Sequence, residues 1–119
     1  MQNPFVIPDG FTLDGHIDPI PGALRGVRFR YRLIRPAAAQ AVQSAFGDAR
    51  VTARAEAVAK HTTDWRVVND DDTDEPIAVT ADMLLNAPSL ILETAWAFVT
   101  GTIGPDVRAT LGKSSPGSG

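Results

Sequence analysis

Cysteine is absent from the 119 residues, which removes disulfides, thiolate nucleophiles and cysteine-ligated metals together. Histidine is nearly absent: His16 and His61 are the only two. Neither stands in an acid–histidine–nucleophile pattern, so both are expected to be ordinary polar residues rather than a base or metal ligands. A basic excess is missing too. The net charge of −3 argues against a general nucleic-acid binder, because phosphate attraction needs net or local positive charge. No stretch approaches the roughly 18 consecutive apolar residues of a membrane span. The first residues lack a basic start followed by an apolar run, so no signal peptide is expected. Serines gather near the end of the chain, at Ser114, Ser115 and Ser118, the wrong place for a positioned nucleophile. These absences predict a cytosolic, non-enzymatic protein with no cofactor and no metal.

What is present is an ordinary globular composition, 44% hydrophobic and 21% charged, long enough for one domain that buries roughly two-thirds of its extended surface. Charge is unevenly placed. Arg25, Arg28, Arg30, Arg32 and Arg35 crowd one segment, while Asp64, Asp70, Asp71, Asp72, Asp74 and Glu75 crowd another.

Residues 1–26 are punctuated by proline and glycine, which favours turns around short extended pieces. Phe11 and Leu13 alternate with polar neighbours, so residues 11–17 are expected to form a short edge strand. The cleanest pattern follows. In Val27-Arg28-Phe29-Arg30-Tyr31-Arg32-Leu33, apolar and arginine residues alternate strictly, placing Val27, Phe29, Tyr31 and Leu33 on one strand face and the arginines on the other. Aromatics and arginines on opposite faces cannot jointly hold stacked bases. The plain reading is a solvated face whose arginines blunt a sheet edge. A protein-binding face and a nucleic-acid surface are the alternatives.

Pro36 suits the first turn of a helix, and the alanine-rich run from Ala37 to about Thr62 continues it. Gly47-Asp48 interrupts the run, and the apolar stripe changes phase from Val42 and Phe46 to Val51, Ala55 and Val58. Two helices, or one broken near Gly47, are expected. Thr63–Val68 and Ile77–Val79 read as two strands around an acidic loop. Thr80 is placed as the N-cap of a helix from Ala81, with Asp82 in its first turn. Pro88 starts another helix, on which Leu90, Ile91, Thr94, Ala95, Phe98 and Val99 share a face, and Gly101 is its stop. Trp65 and Trp96 are core anchors that are expected to meet. Trp96 lies about 90–120° off the stripe, so one side of this helix is also a candidate partner surface, with Leu92, Trp96 and Phe98 as the candidate partner-binding residues.

Three motifs fail on their own chemistry. Asp70, Asp72 and Asp74 have the odd spacing of a calcium loop, but Glu75 replaces the sixth-position glycine and Ala81 the bidentate twelfth-position glutamate. Gly112-Lys113-Ser114 resembles the end of a phosphate-binding loop, yet Val107 stands where that loop needs glycine. Asp64 and Glu93 have no spacing that would make them an acid–base pair. The fold expected is α+β, a small antiparallel β-sheet of an N-terminal hairpin plus a central hairpin, packed against three to four α-helices. Residues 1–104 would be the domain and 105–119 a disordered C-terminal tail.

The order of parts from Trp65 to Gly101 resembles the C-terminal half of the tail assembly chaperones of long-tailed bacteriophages. Those parts are Trp65 on a strand, the acidic turn Asp70–Glu75, Pro76-Ile77-Ala78-Val79, Thr80 with Leu84 and Leu85, Pro88, and the helix from Leu90 to Gly101. The Arg28-Phe29-Arg30-Tyr31-Arg32 strand and the alanine-rich helix suit members that begin with a β-hairpin. The resemblance implies a chaperone that coats the tape measure protein, with the major tail protein as a second candidate partner. It would work in the host cytoplasm, be absent from the mature virion, and bind neither nucleic acid nor membrane. A structural head–tail connector or tail terminator, and a nucleic-acid-binding regulator using Arg28, Arg30 and Arg32, are the other classes.

Overall fold

The computed structural model describes residues 11–71 and 73–104. Its elements run β1 (Leu13–Ile17), β2 (Val27–Tyr31), α1 (Pro36–Gln43), α2 (Gly47–His61), β3 (Thr62–Val68), β4 (Asp74–Pro76), α3 (Ala81–Asn86) and α4 (Ser89–Val99). The strands form one antiparallel sheet in the order β1-β2-β3-β4. Two hairpins, β1–β2 and β3–β4, are thus joined through the α1–α2 connection, and α3 and α4 follow. The α+β architecture expected from the chain is the one found. Residues 105–119, the expected tail, lie outside the described residues. Among the described residues no helix is long and apolar enough to cross a membrane.

Helices cover one face of the sheet. The alternation of β2 explains why: Phe29 and Tyr31 are buried while Arg28 and Arg30 are exposed, so only the aromatic face needs a cover. That cover is α2 with Ala55 and Val58, α3 with Leu84, and α4 with Ile91, Leu92, Ala95, Trp96, Phe98 and Val99. The centre is aromatic. Phe29 stacks on Trp65 at 4.4 Å between ring centroids and meets Phe98 edge-on at 5.6 Å, while Tyr31 lies 5.5 Å from Phe98. Offset and edge-on arrangements of this kind contribute about 0.5–1.5 kcal/mol per pair beyond area burial. Trp65 and Trp96 belong to the same core cluster, and the guanidinium of Arg54 lies 5.4 Å from the centre of the Trp96 ring.

A glycine makes room for that cluster. Gly15 faces Phe29 across the β1–β2 ladder, and a Cβ at position 15 would lie 2.7 Å from two atoms of the Phe29 ring. The ring thus occupies the place of a side chain on the neighbouring strand.

A bulge reconciles β3 with the core. Arg28 pairs with Arg66 and Arg30 with Thr63, so Phe29 faces two residues, Asp64 and Trp65. Asp64 absorbs the extra residue with φ of +53°, a left-handed conformation that aspartate tolerates better than most residues. The phase shift brings Thr62 and Trp65 to the same side, and the indole Nε1 donates to Thr62 Oγ1 at 2.9 Å. Without the bulge, strict alternation would turn Thr62 away from the Trp65 face.

Several local signals act as expected. Pro36 opens α1, and α2 starts at Gly47 with φ of +53°. Thr80 Oγ1 caps α3 by accepting from the Met83 amide at 3.2 Å. Gly101, φ +83°, ends α4 by donating to the Phe98 carbonyl at 3.0 Å, as a left-handed C-terminal stop does.

Three expectations are corrected. First, β4 is Asp74–Pro76, not Ile77–Val79. The turn closes early, with the Asn69 amide donating to the Thr73 carbonyl at 2.7 Å, and the ladder must begin next to a turn this short. Ile77 adds only one further bond, to the Trp65 carbonyl at 2.9 Å. Second, β2 ends at Tyr31 and Leu33 is exposed. Beyond Tyr31 the backbone turns to other partners, the Arg32 amide to His61 and the Ile34 amide to Val99. Third, β2 lies inside the sheet, so its arginines guard no edge.

Candidate binding surface

Three surfaces compete for a functional role, and the first is the outer sheet face. Here several of the arginines meet acids or carbonyls. Arg30 pairs with Asp14, its cross-strand neighbour, at 3.0 Å and donates from Nε to Thr12 Oγ1 at 2.8 Å. Arg66 reaches Asp64 and Asp74, both at 3.1 Å, and these hydrogen bonds hold its guanidinium even more firmly charged than usual. Arg25 bonds Asn69 and lies 3.7 Å from Glu75. Arg32 has left the ladder and donates to the Lys60 carbonyl at 2.7 Å. Arg30 is thus paired with an acid and Arg32 points away to a backbone carbonyl, while Arg28 is exposed. The face is a mosaic of alternating charge, which gives register but little field at a distance.

The second is a half-open cleft of about 760 Å³ between residues 18–26 and the start of the β3–β4 turn. A miniature hairpin builds its wall, held by reciprocal backbone bonds between Ile20 and Leu24 at 2.8 Å. His16 and Asp18 lie on the lining, 3.3 Å apart. The Asp18 side chain is 83% exposed, so this is a solvated surface pair that contributes little. Among the described residues the lining includes no serine, threonine, lysine or tyrosine. His61 is elsewhere, with Nδ1 2.9 Å from the Ala57 carbonyl in the last turn of α2. Among the described residues no group of three or more His, Asp and Glu could hold a metal ion. In the acidic turn, Asp71 Oδ1 accepts from the Thr73 amide and hydroxyl at 3.2 and 2.5 Å. These bonds hold the Asp71 carboxyl below its usual range.

The third surface is helical, and the expected residues are not on it. Leu92, Trp96 and Phe98 are 6%, 7% and 2% exposed, so they are core residues rather than a partner-binding face. The reason is geometric. α4 touches β1 on one side and α2 and α3 on others, so both flanks of its apolar stripe are covered, and Arg54 lies over Trp96. Glu93, on the solvent side of α4, is likewise unrelated to Asp64, which pairs with Arg66.

Among the described residues the most exposed large apolar side chain lies instead where α1 meets α2, although Phe11, Met83 and Leu90 are also partly uncovered. α2 carries Val51, Ala55 and Val58 at helical i, i+4, i+7 spacing. Ala55 and Val58 are fully buried, but Val51 is 46% exposed, because the first turns of α2 run past the edge of the core. Phe46, at the corner between the helices, is 83% exposed. α1 itself buries no residue fully. The phase shift at Gly47 was visible in the chain as a helix break. That the stripe outruns its core was not, since this depends on where α3 and α4 stop.

No protein-family model, no curated protein and no solved structure matches this chain.

Proposed function

We propose that this protein is a non-enzymatic binding protein that shields an apolar helix of a partner, in the manner of the phage tail assembly chaperones it resembles. The client in that reading is the tape measure protein, held soluble in the host cytoplasm during tail tube assembly, with the chaperone left out of the mature virion. The carrying observation is the 83% exposure of Phe46 beside the uncovered Val51. Burying a phenylalanine side chain stabilises by about 1.5–3 kcal/mol, and this fold leaves that gain unrealised at its helical corner. A docked amphipathic helix would collect it.

The test is co-expression with the long helical protein encoded downstream of this gene. The wild-type chain should keep that protein soluble and co-purify with it, whereas Phe46→Ser should lose it while remaining folded. Neighbouring genes that encode no long helical protein, or a partner equally soluble with Phe46→Ser, refute the reading. A ring of six or more copies by light scattering would favour the connector or terminator class instead.

A further inference from the structure

We infer that the α1–α2 corner selects an amphipathic helix with carboxylates spaced one turn apart along one border of its apolar stripe. This deepens the binding reading above and rests on it. Arg50 and Arg54 stand one turn apart on α2, and Val51, three residues before Arg54, neighbours that line on the same helix. Phe46 sits just before the helix as its N-cap, in extended backbone. The two guanidinium groups are held in place from within the protein. Arg50 Nε donates to the Ala45 carbonyl at 2.8 Å, and Arg54 lies 5.4 Å over the Trp96 ring.

Arg25, Arg30 and Arg66 each have a carboxylate within 4.0 Å, whereas among the described residues none pairs with Arg50 or Arg54, nor with Arg28, Arg32 or Arg35; Arg50 and Arg54 are the two that stand one turn apart on a helix beside exposed apolar side chains. Across residues 35–61 the cations Arg35, Arg50, Arg54 and Lys60 outnumber Asp48 and Glu56, in a chain that is acidic as a whole. An exposed apolar corner, Phe46 with Val51, followed along α2 by two held guanidinium groups one turn apart, is complementary to a helix with an apolar stripe and acids at i and i+4. Side chains so placed are about 5–6 Å apart, matching the one-turn interval between Arg50 and Arg54. Arginine held in this way loses less freedom on meeting a carboxylate than a free side chain would. Opposite charge also speeds encounter, and that gain fades with salt.

The probes are two synthetic helical peptides with the same leucine stripe, one bordered by glutamates and one by lysines, titrated into the full chain by calorimetry. The glutamate peptide should bind at least tenfold tighter at low salt, with the advantage shrinking as salt rises. Phe46→Ser should weaken both peptides. Arg50→Glu, a change on an exposed side chain, brings the pair from two positive charges to none and should abolish the preference, and a melting curve checks that it folds. Equal affinities with both peptides sensitive to Phe46→Ser overturn the charge selection while leaving the apolar site standing. Binding of neither peptide, or binding indifferent to Phe46→Ser, overturns the site itself.

Discussion

Replacing Gly15 with alanine is the sharpest probe of the core. The added methyl would fall 2.7 Å from Cε2 and Cζ of Phe29 and 3.3 Å from Cγ of Phe98. The Phe29 ring has nowhere to retreat, because Trp65 stacks on it at 4.4 Å and Phe98 meets it at 5.6 Å. Overpacking of this kind costs about 1–3 kcal/mol. Alanine also restricts the unfolded chain, which returns about 0.4–1 kcal/mol, so a net loss of about 1–2 kcal/mol is expected. The assay is urea unfolding followed by tryptophan fluorescence. Phe29→Leu should be destabilising alone, yet Gly15→Ala should cost little in that background, since the clashing ring is gone. The coupling in the double-mutant cycle should therefore be about 1 kcal/mol or more. A Gly15→Ala variant within 0.5 kcal/mol of wild type, or the same loss with Leu at 29, would show that the ring does not fill the glycine's place.

Asp64→Gly should leave stability unchanged or raise it by up to about 1 kcal/mol, because glycine adopts a positive φ without strain and the exposed pair with Arg66 contributes little. Asp64→Val at the same site should cost more than 1 kcal/mol; equal urea midpoints for the two would refute the bulge conformation. Burial, then the charge of Asp14, raise the pKa of Tyr31. Its neutral form is favoured by folding, so that contribution is complete below the unfolded value near 10 and is lost as pH rises through the higher folded value. Tyr31 is the only tyrosine, so tyrosinate absorbance should appear late and together with unfolding, and Tyr31→Phe should delay alkaline unfolding; an ordinary titration without unfolding is the contrary result. Leu92→Ala should cost about 2–5 kcal/mol, as a core truncation does, whereas Phe46→Ser should change stability by less than about 0.5 kcal/mol. The reverse order in thermal melts would return the binding face to α4.

Much of this architecture was determined by residues acting within one turn or one strand of themselves. The alternation at Val27–Tyr31 orients the sheet, Pro36 and Gly47 divide the helices, Thr80 caps α3 and Gly101 stops α4. Each needs only its own backbone and nearest neighbours, so each is readable along the chain. The tertiary structure decided the rest, because those features depend on what arrives from far away. Asp64 takes a left-handed turn because Thr62 and Trp65 must both meet the core. The arginines of β2 lost the role of edge guards once β3 paired beside them. Leu92, Trp96 and Phe98 became core when α2, α3 and β1 closed around α4, and Phe46 became surface because no element among the described residues extends over its corner. Periodicity tells which residues share a side of a helix, and only packing tells whether another part of the molecule covers that side.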